Sequence, residues 1–348
     1  MIVNPIRPIA ALPSNHPRLT GVLLTLSLAL IGLAISLIPG PAKLGPLACT
    51  LLLAAAYRHR FGYPHALGAG IRFSSGTLLR AAIVLFGLKL DIVEVLRQGL
   101  PLLLRSGGTV VFSLAAVFAI GRLLRADRKL IALLAIGTAI CGAAAIAAAA
   151  PLLRSKDEDT AISAGLIAVI GTVFATFYTL MLPWLPLSPE SYGIWSGLTL
   201  HEVAHVAMAA APGGPDALAD GLLAKLSRVA LLAPLCLVIA GASKLRGRRG
   251  GEDGEVQTAE GAGFKFPWFL VGFIAASLFG SYALPALLPD PEPLLHELSY
   301  ATTLLLGMAM AGLGLNVGLR DLRSRALRPL AAMFVASVLL SAFTYWSL

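Results

Sequence analysis

The sequence predicts an all-α, polytopic membrane protein of about 9–11 segments, built as an inverted-repeat secondary transporter with broken helices. Long runs without a charge predict the spans, Lys and Arg in the short loops predict their sides, and two internal echoes predict the repeat. Of the 348 residues, 57% are hydrophobic and 13% charged. Soluble domains carry about 25% charged residues, so this composition excludes a soluble enzyme or binding domain. A bilayer-spanning helix needs about 20 apolar residues. Thr20–Gly40, Leu130–Leu153, Thr160–Pro189, Phe266–Pro289, Leu298–Leu319 and Pro329–Leu348 each lack Asp, Glu, Lys and Arg.

In order, spans are expected near 20–39, 43–57, 75–90, 99–121, 130–151, 160–183, 193–211, 223–243, 266–286, 298–317 and 329–347. Residues 1–19 are expected to be a cytoplasmic segment and not a cleavable signal, since the apolar run that follows is long enough to span. Residues 20–242 form the front membrane part. Residues 243–265 are basic, then acidic and Gly-rich, and read as a flexible cytoplasmic loop. Residues 266–348 hold the C-terminal segments.

The net charge of +9 would suit nucleic acid, but most of the cations sit in loops between apolar runs. That is the mark of membrane topology, so no nucleic-acid partner is expected. Cys49, Cys141 and Cys236 all lie in apolar segments without a C-x-x-C spacing, which predicts neither disulfides nor a thiolate metal site.

Arg58, Arg60 and Arg72, then Arg122, Arg125, Arg128 and Lys129, the 243–265 loop, and Arg320, Arg323, Arg325 and Arg328 mark cytoplasmic loops. The loops at 184–192 and 287–297 carry acids without Lys or Arg and read as external. Simple alternation then fails twice, because two apolar segments lie between 122–129 and 184–192, and two more between 184–192 and 243–265. The conflict vanishes if 130–151 and 193–211 enter the bilayer and return, or are broken.

Those segments also resemble each other. Gly137-Thr138-Ala139-Ile140-Cys141-Gly142-Ala143-Ala144 precedes a small-residue run ending at Pro151. Gly197-Leu198-Thr199-Leu200-His201-Glu202-Val203-Ala204 precedes one ending at Pro212. A second echo pairs Gly87-Leu88-Lys89-Leu90-Asp91 before Pro101-Leu102 with Gly312-Leu313-Gly314-Leu315-Asn316 before Pro329-Leu330. By loop charge the two motifs end their helices on opposite sides, as an inverted repeat requires.

Ionisable groups inside a membrane are costly and functional by default. His201, Glu202 and His205 are flanked by uncharged sequence. Four-residue spacing on a helix would put both histidines on one face, the H-E-x-x-H arrangement of a zinc protease. That alternative lacks a convincing third ligand; Asp216 and Asp220 are the nearest carboxylates in sequence. A purely architectural polar network is a further reading. Solute or proton handling suits these residue types best, because histidines and buried carboxylates exchange protons. Cys141 and Gly142 occupy the matching break, where exposed backbone amides would attract an anion; the bland reading of Cys141 is a small core filler. Thr138 and Thr199 offer hydroxyls to a solute or to their own helix. Secondary candidates are Arg80, expected to snorkel; Asp91, expected to pair with Lys89 at the outer interface; Asn316; and Lys225 and Arg228, placed at the start of their span and able to attract an anion.

Together these stretches resemble the YeiH-type family of bacterial inner-membrane proteins, often described as sulfate exporters. The resemblance is carried, in order, by Leu79-Arg80, Phe86-Gly87-Leu88-Lys89-Leu90, Ile140-Cys141-Gly142-Ala143-Ala144-Ala145, His201-Glu202-Val203-Ala204, Lys225-Leu226-Ser227-Arg228-Val229, Leu232-Ala233-Pro234, Pro267-Trp268-Phe269 and Ala309-Met310-Ala311-Gly312-Leu313. It implies a multi-pass plasma-membrane protein similar to bile-acid symporters and cation/proton antiporters, with two inverted repeats, a core domain with broken helices and a panel domain. It also implies a transporter, not an enzyme, without a cofactor. Its partner would be a small anion such as sulfate or a sulfonate, coupled to a proton or cation, with homo-oligomerisation left open. In the family pattern the last position of H-E-V-A-H need not be histidine, which weakens the protease alternative.

Overall fold

The computed structural model describes residues 16–39, 41–90, 92–239, 241, 268–288, 290–317 and 326–348. These residues form helices and turns without a strand. In hydrocarbon, every backbone N–H and C=O must be satisfied within the protein, and a helix does this within one segment. In chain order the helices are α1 (Pro17–Ile35), α2 (Gly45–Phe61), α3 (His65–Gly87), α4 (Ile92–Leu123), α5 (Arg128–Ala139), α6 (Ala143–Ala149) and α7 (Asp157–Met181). They continue with α8 (Pro189–Thr199), α9 (Val203–Ala210), α10 (Pro215–Ile239), α11 (Trp268–Leu287), α12 (Glu292–Asn316) and α13 (Leu327–Trp346). Eight of them (α1, α3, α4, α7, α10, α11, α12 and α13) are long and apolar enough to cross a bilayer. The chain is a multi-pass helical membrane protein.

Several helices start earlier than hydropathy predicts. α3 begins at His65, α10 at Pro215 and α12 at Glu292, because a first turn holding His, Asp, Glu, Gly or Pro is helical without adding to the apolar run. α4 runs from Ile92 through Pro101 instead of starting near residue 99. A proline deletes one donor, and membrane helices tolerate this where neighbours compensate. In α10, Pro234 cannot donate to Ala230, and the helix tightens into a turn at Leu231.

The chain divides into two compact units, Met1–Asp91 with Gly272–Arg320, and Ile92–Val271 with Asp321–Leu348. They interleave along the sequence, whereas the hydrophilic stretch at 243–265, which lies outside the described residues, suggested a linear split. Residues 1–15 of the expected N-terminal segment also lie outside the described residues. In the first unit α3 and α12 run antiparallel: a Cβ on Gly312 would lie 3.0 Å from Ile71 O, while Lys89 Nζ donates to Ser299 Oγ at 2.6 Å. α1 crosses α3 at Gly21 and Gly70, where a Cβ on Gly70 would fall 2.7 Å from the Gly21 Cα. Only small residues permit backbones that close.

In the second unit α4 and α13 are antiparallel. Arg328 donates to Arg125 O (3.4 Å), the Phe112 and Phe343 rings stack at 4.3 Å, and Arg105 donates to Leu348 O (3.4 Å). The echo Gly87–Asp91/Gly312–Asn316 therefore precedes two helices, α4 and α13, that point in opposite directions, as expected of inverted repeats.

The segments at 130–151 and 193–211 do not cross. Asp127 Oδ1 caps α5 by accepting from Lys129 N (2.9 Å) and Leu130 N (3.2 Å). Its 12 residues rise only ~18 Å, against a hydrocarbon core of ~30 Å. α6 then folds back, so that a Cβ on Gly137 would meet the Ile146 side chain at 2.9 Å. α8 starts under a Ser188 cap with Pro189 in its first turn. The return of α9 brings Ala209 O to the Tyr192 hydroxyl (3.1 Å) at the beginning of α8. Both segments are re-entrant hairpins. α7, the most enclosed of the long helices with 61% of its apolar window buried, packs against both.

Candidate functional site

The hairpin tips are three-residue breaks, 140–142 and 200–202, and they fall at the same place in the two echoed motifs. α5 ends where Ile140 turns to φ −113°, ψ −90°. Gly142 holds φ +73°, ψ −129°, a region that side chains exclude, and its N–H closes back on Gly137 O at 2.8 Å. In the second tip Leu200 and Glu202 are extended (ψ 154° and 153°). The two tips touch, since a Cβ on Gly142 would lie 2.5 Å from Glu202 Cγ.

Broken helices bring a problem to the middle of the protein. Each C-terminal end leaves carbonyls without helical partners and a partial negative charge, and each N-terminal end leaves free N–H groups and a partial positive one. α10 supplies the cations. Arg228 is fully buried and donates through Nε to Ala139 O (2.9 Å), through Nη1 to Leu198 O (2.6 Å), and through Nη2 to Thr138 O (2.6 Å) and Ala139 O. One guanidinium thus ends both α5 and α8. A planar fork can reach three carbonyls from two helices where an ammonium cannot. Lys225, one turn earlier and equally buried, donates to Leu200 O at 2.5 Å. The third ionisable group, Glu202, accepts from Ala143 N across the tips (Oε1, 3.3 Å).

A buried charge is tolerable when it is hydrogen-bonded. Arg228 meets this condition with four bonds. Lys225 meets it partly, because an ammonium has three donors and one described bond. Glu202 Oε2, His201 Nδ1, His205 Nδ1 and Thr138 Oγ1 are buried with no hydrogen-bond partner among the described residues. A site combining a part-satisfied ammonium with orphaned polar atoms has the chemistry to receive a small polar solute.

The zinc-protease geometry is corrected by the break. His201 lies in the tip and α9 begins only at Val203, so the two histidines do not share a helical face. His201 Nε2 bonds to Ser337 Oγ on α13 (2.9 Å), while His205 Nε2 meets Thr172 Oγ1 on α7 (3.4 Å). Asp216 and Asp220 stand in the first two turns of α10, and no three His, Cys, Asp or Glu side chains converge as a metal-ligand set among the described residues.

Of the sequence candidates, Thr138, Cys141, Gly142, Thr199, His201, Glu202, His205, Lys225 and Arg228 come together in the second unit. Lys225 and Arg228 lie in the third and fourth turns of α10, not at its start, because that helix begins at Pro215. The Thr199 hydroxyl is committed, donating to Trp195 O (2.6 Å) and accepting from Tyr178 (3.0 Å). Arg80 and Asn316 are exposed residues of the first unit, and Lys89 bonds to Ser299; Asp91 lies outside the described residues. The sequence reading missed a supporting wall. Tyr178 stacks on Trp195 (3.9 Å) and bonds to Ser341 Oγ, whose carbonyl accepts from Trp195 Nε1 (2.9 Å). Ser337 and Ser341, four apart in an otherwise apolar span, were the visible signal of a polar face.

The model of a family described as "Conserved hypothetical protein 698" matches residues 20–333. A UPF0324 membrane protein of Staphylococcus aureus (strain MRSA252) is 41% identical over 336 residues, 97% of both chains. A UPF0324 membrane protein of Staphylococcus epidermidis is 38% identical over 324 residues, 93% of this chain and 94% of the relative.

Proposed function

The chain belongs to the UPF0324 family of membrane proteins, and we propose that it is a secondary transporter that exports a small anion, sulfate or a sulfonate-like solute, by alternating access with a coupled proton or cation. It makes and breaks no covalent bond of its cargo. The observation that carries this reading is the meeting of two re-entrant tips around Lys225, an ammonium with donors to spare in a buried site. Interrupted helices meeting inside the bilayer are how inverted-repeat transporters hold substrate and coupling ion. At the tips, Lys225 and Arg228 of α10 stand as two buried cations against one carboxylate, so the charge balance favours an anion. Arg228 is spent on the helix ends and acts as a positioning residue; Lys225 contacts the solute.

A solute screen on the purified full chain tests this. Sulfate, sulfite, taurine-like sulfonates and small carboxylates are compared by thermal shift, since a ligand at about 100-fold its Kd adds about 2.7 kcal/mol to the folded state. One of these anions is expected to raise the melting temperature of the wild type and to lose that effect in Lys225→Met. The same anion should leave proteoliposomes loaded with it. If no anion shifts the protein and none is transported, the reading fails.

A further inference from the structure

We propose that the anion is bound together with one proton, carried on Glu202 Oε2, so that this carboxyl donates a hydrogen bond to the bound anion. The proposal rests on the transporter reading and specifies what occupies the site.

The tip supplies the reasons. Glu202 divides its two oxygens: Oε1 is held by the Ala143 N–H of the opposite tip, while Oε2 is buried without a hydrogen-bond partner and stands 3.9 Å from His205 Nδ1. A carboxylate is an acceptor only, and an anion such as sulfate is an acceptor only. Both would lie beside Lys225, whose described bond goes to Leu200 O, two residues before Glu202 in the same tip. Two like charges side by side in a buried site repel each other, and a proton taken up by one of them removes that repulsion. With a proton on Oε2 the conflict becomes a fit: Glu202 donates to the anion, the spare donors of Lys225 serve it too, and Oε1 still accepts from Ala143. The proton comes from solvent with the anion and returns with it, so no other bond changes.

The groups facing Glu202 leave it the best carrier. From α10 come Lys225 and Arg228, both cations, the latter committed to four carbonyl bonds. The facing tip brings Cys141, and α7 brings the Thr172 hydroxyl, on His205. His205, on α9, and His201, in the tip itself, are the two competitors for the proton. Each has one ring nitrogen occupied by a hydroxyl partner and Nδ1 without one.

The test is sulfate binding to the detergent-purified full chain between about pH 5.5 and about pH 8.5. Sulfate is the probe because it does not titrate there, whereas sulfite does. One proton taken up per anion makes the apparent Kd rise by about tenfold per pH unit at the alkaline end. In Glu202→Gln the amide donates permanently in place of Oε2–H and its oxygen keeps the bond to Ala143. That variant is expected to bind sulfate across the range with a flat profile, while His201→Gln and His205→Gln keep the slope. Wild-type binding that is independent of pH, or a slope that survives in Glu202→Gln and disappears in either histidine variant, overturns the proposal and leaves the anion transporter standing. Binding of another screened carboxylate or sulfonate in place of sulfate, with a Kd that does not change with pH, likewise overturns the proposal and leaves the anion transporter standing. Absence of binding by any of the screened anions removes the transporter reading itself and this proposal with it.

Discussion

Arg228 shows how a single side chain can hold a membrane fold together. Its four hydrogen bonds end two half-helices that would otherwise point bare carbonyls into the protein interior. Arg228→Lys keeps the charge and removes the fork. A lysine head cannot span Thr138 O, Ala139 O and Leu198 O, and each buried carbonyl left unpaired costs about 1–3 kcal/mol. The variant is expected to lose roughly 2–5 kcal/mol of stability, read as a lower melting temperature in detergent; an unchanged melt would show that the carbonyls find other partners. Lys225 was readable as a buried cation only after its helix was seen to begin at Pro215, which carries it inward from the interface. Glu202 was legible from sequence as an intramembrane carboxylate. What it touches was not, because Ala143 lies 59 positions away in a different hairpin.

At the scale of elements the informative signal was a contradiction in loop charge. The basic loop before α5 and the acidic loop before α8 could not be joined by plain spans, and the hairpins are how the chain resolves it. Their half-helices are too short to cross, and the Tyr192–Ala209 bond closes one of them. Positions at their exits should face opposite sides of the membrane. Single cysteines at Arg154 or Ser155 are expected to label from the cytoplasm and one at Pro212 from outside, with an impermeant reagent on intact cells. The reverse pattern, or all three on one side, would mean that one hairpin crosses. The similarity of the two motifs was visible as a pattern of Gly and small residues. That both break at the same three positions followed from the backbone, where Gly142 needs its positive φ and Glu202 its extended one.

The whole molecule sorts its apolar residues by solvent. Leu104, Leu237 and Trp268 are each at least 70% exposed, which in this fold means exposure to lipid, whereas Ala207 and Met208 of α9 are wholly enclosed. Hydropathy cannot separate these classes, because lipid and protein core are equally apolar. Leu237→Ala should therefore change the melting temperature little, within about 0.5 kcal/mol. Ala207→Leu overfills a packed hairpin and should cost about 1–3 kcal/mol. Comparable losses in both variants would contradict this division.

The class of the protein, its approximate spans, the two irregular segments and most of the ionisable groups at their tips are legible along the chain. Those features are local: an apolar run, a loop charge or a Gly-Pro pattern acts on its own neighbourhood. Tertiary structure alone decided that the tips meet, that Arg228 is consumed by helix ends while Lys225 keeps donors to spare, and that His201 and His205 face different helices. It also decided that Ser337, Ser341 and Tyr178 form the supporting wall. Hydrogen bonds at about 3 Å depend on where distant segments pack, and that is set by the shapes of the whole second unit and not by spacing along the chain.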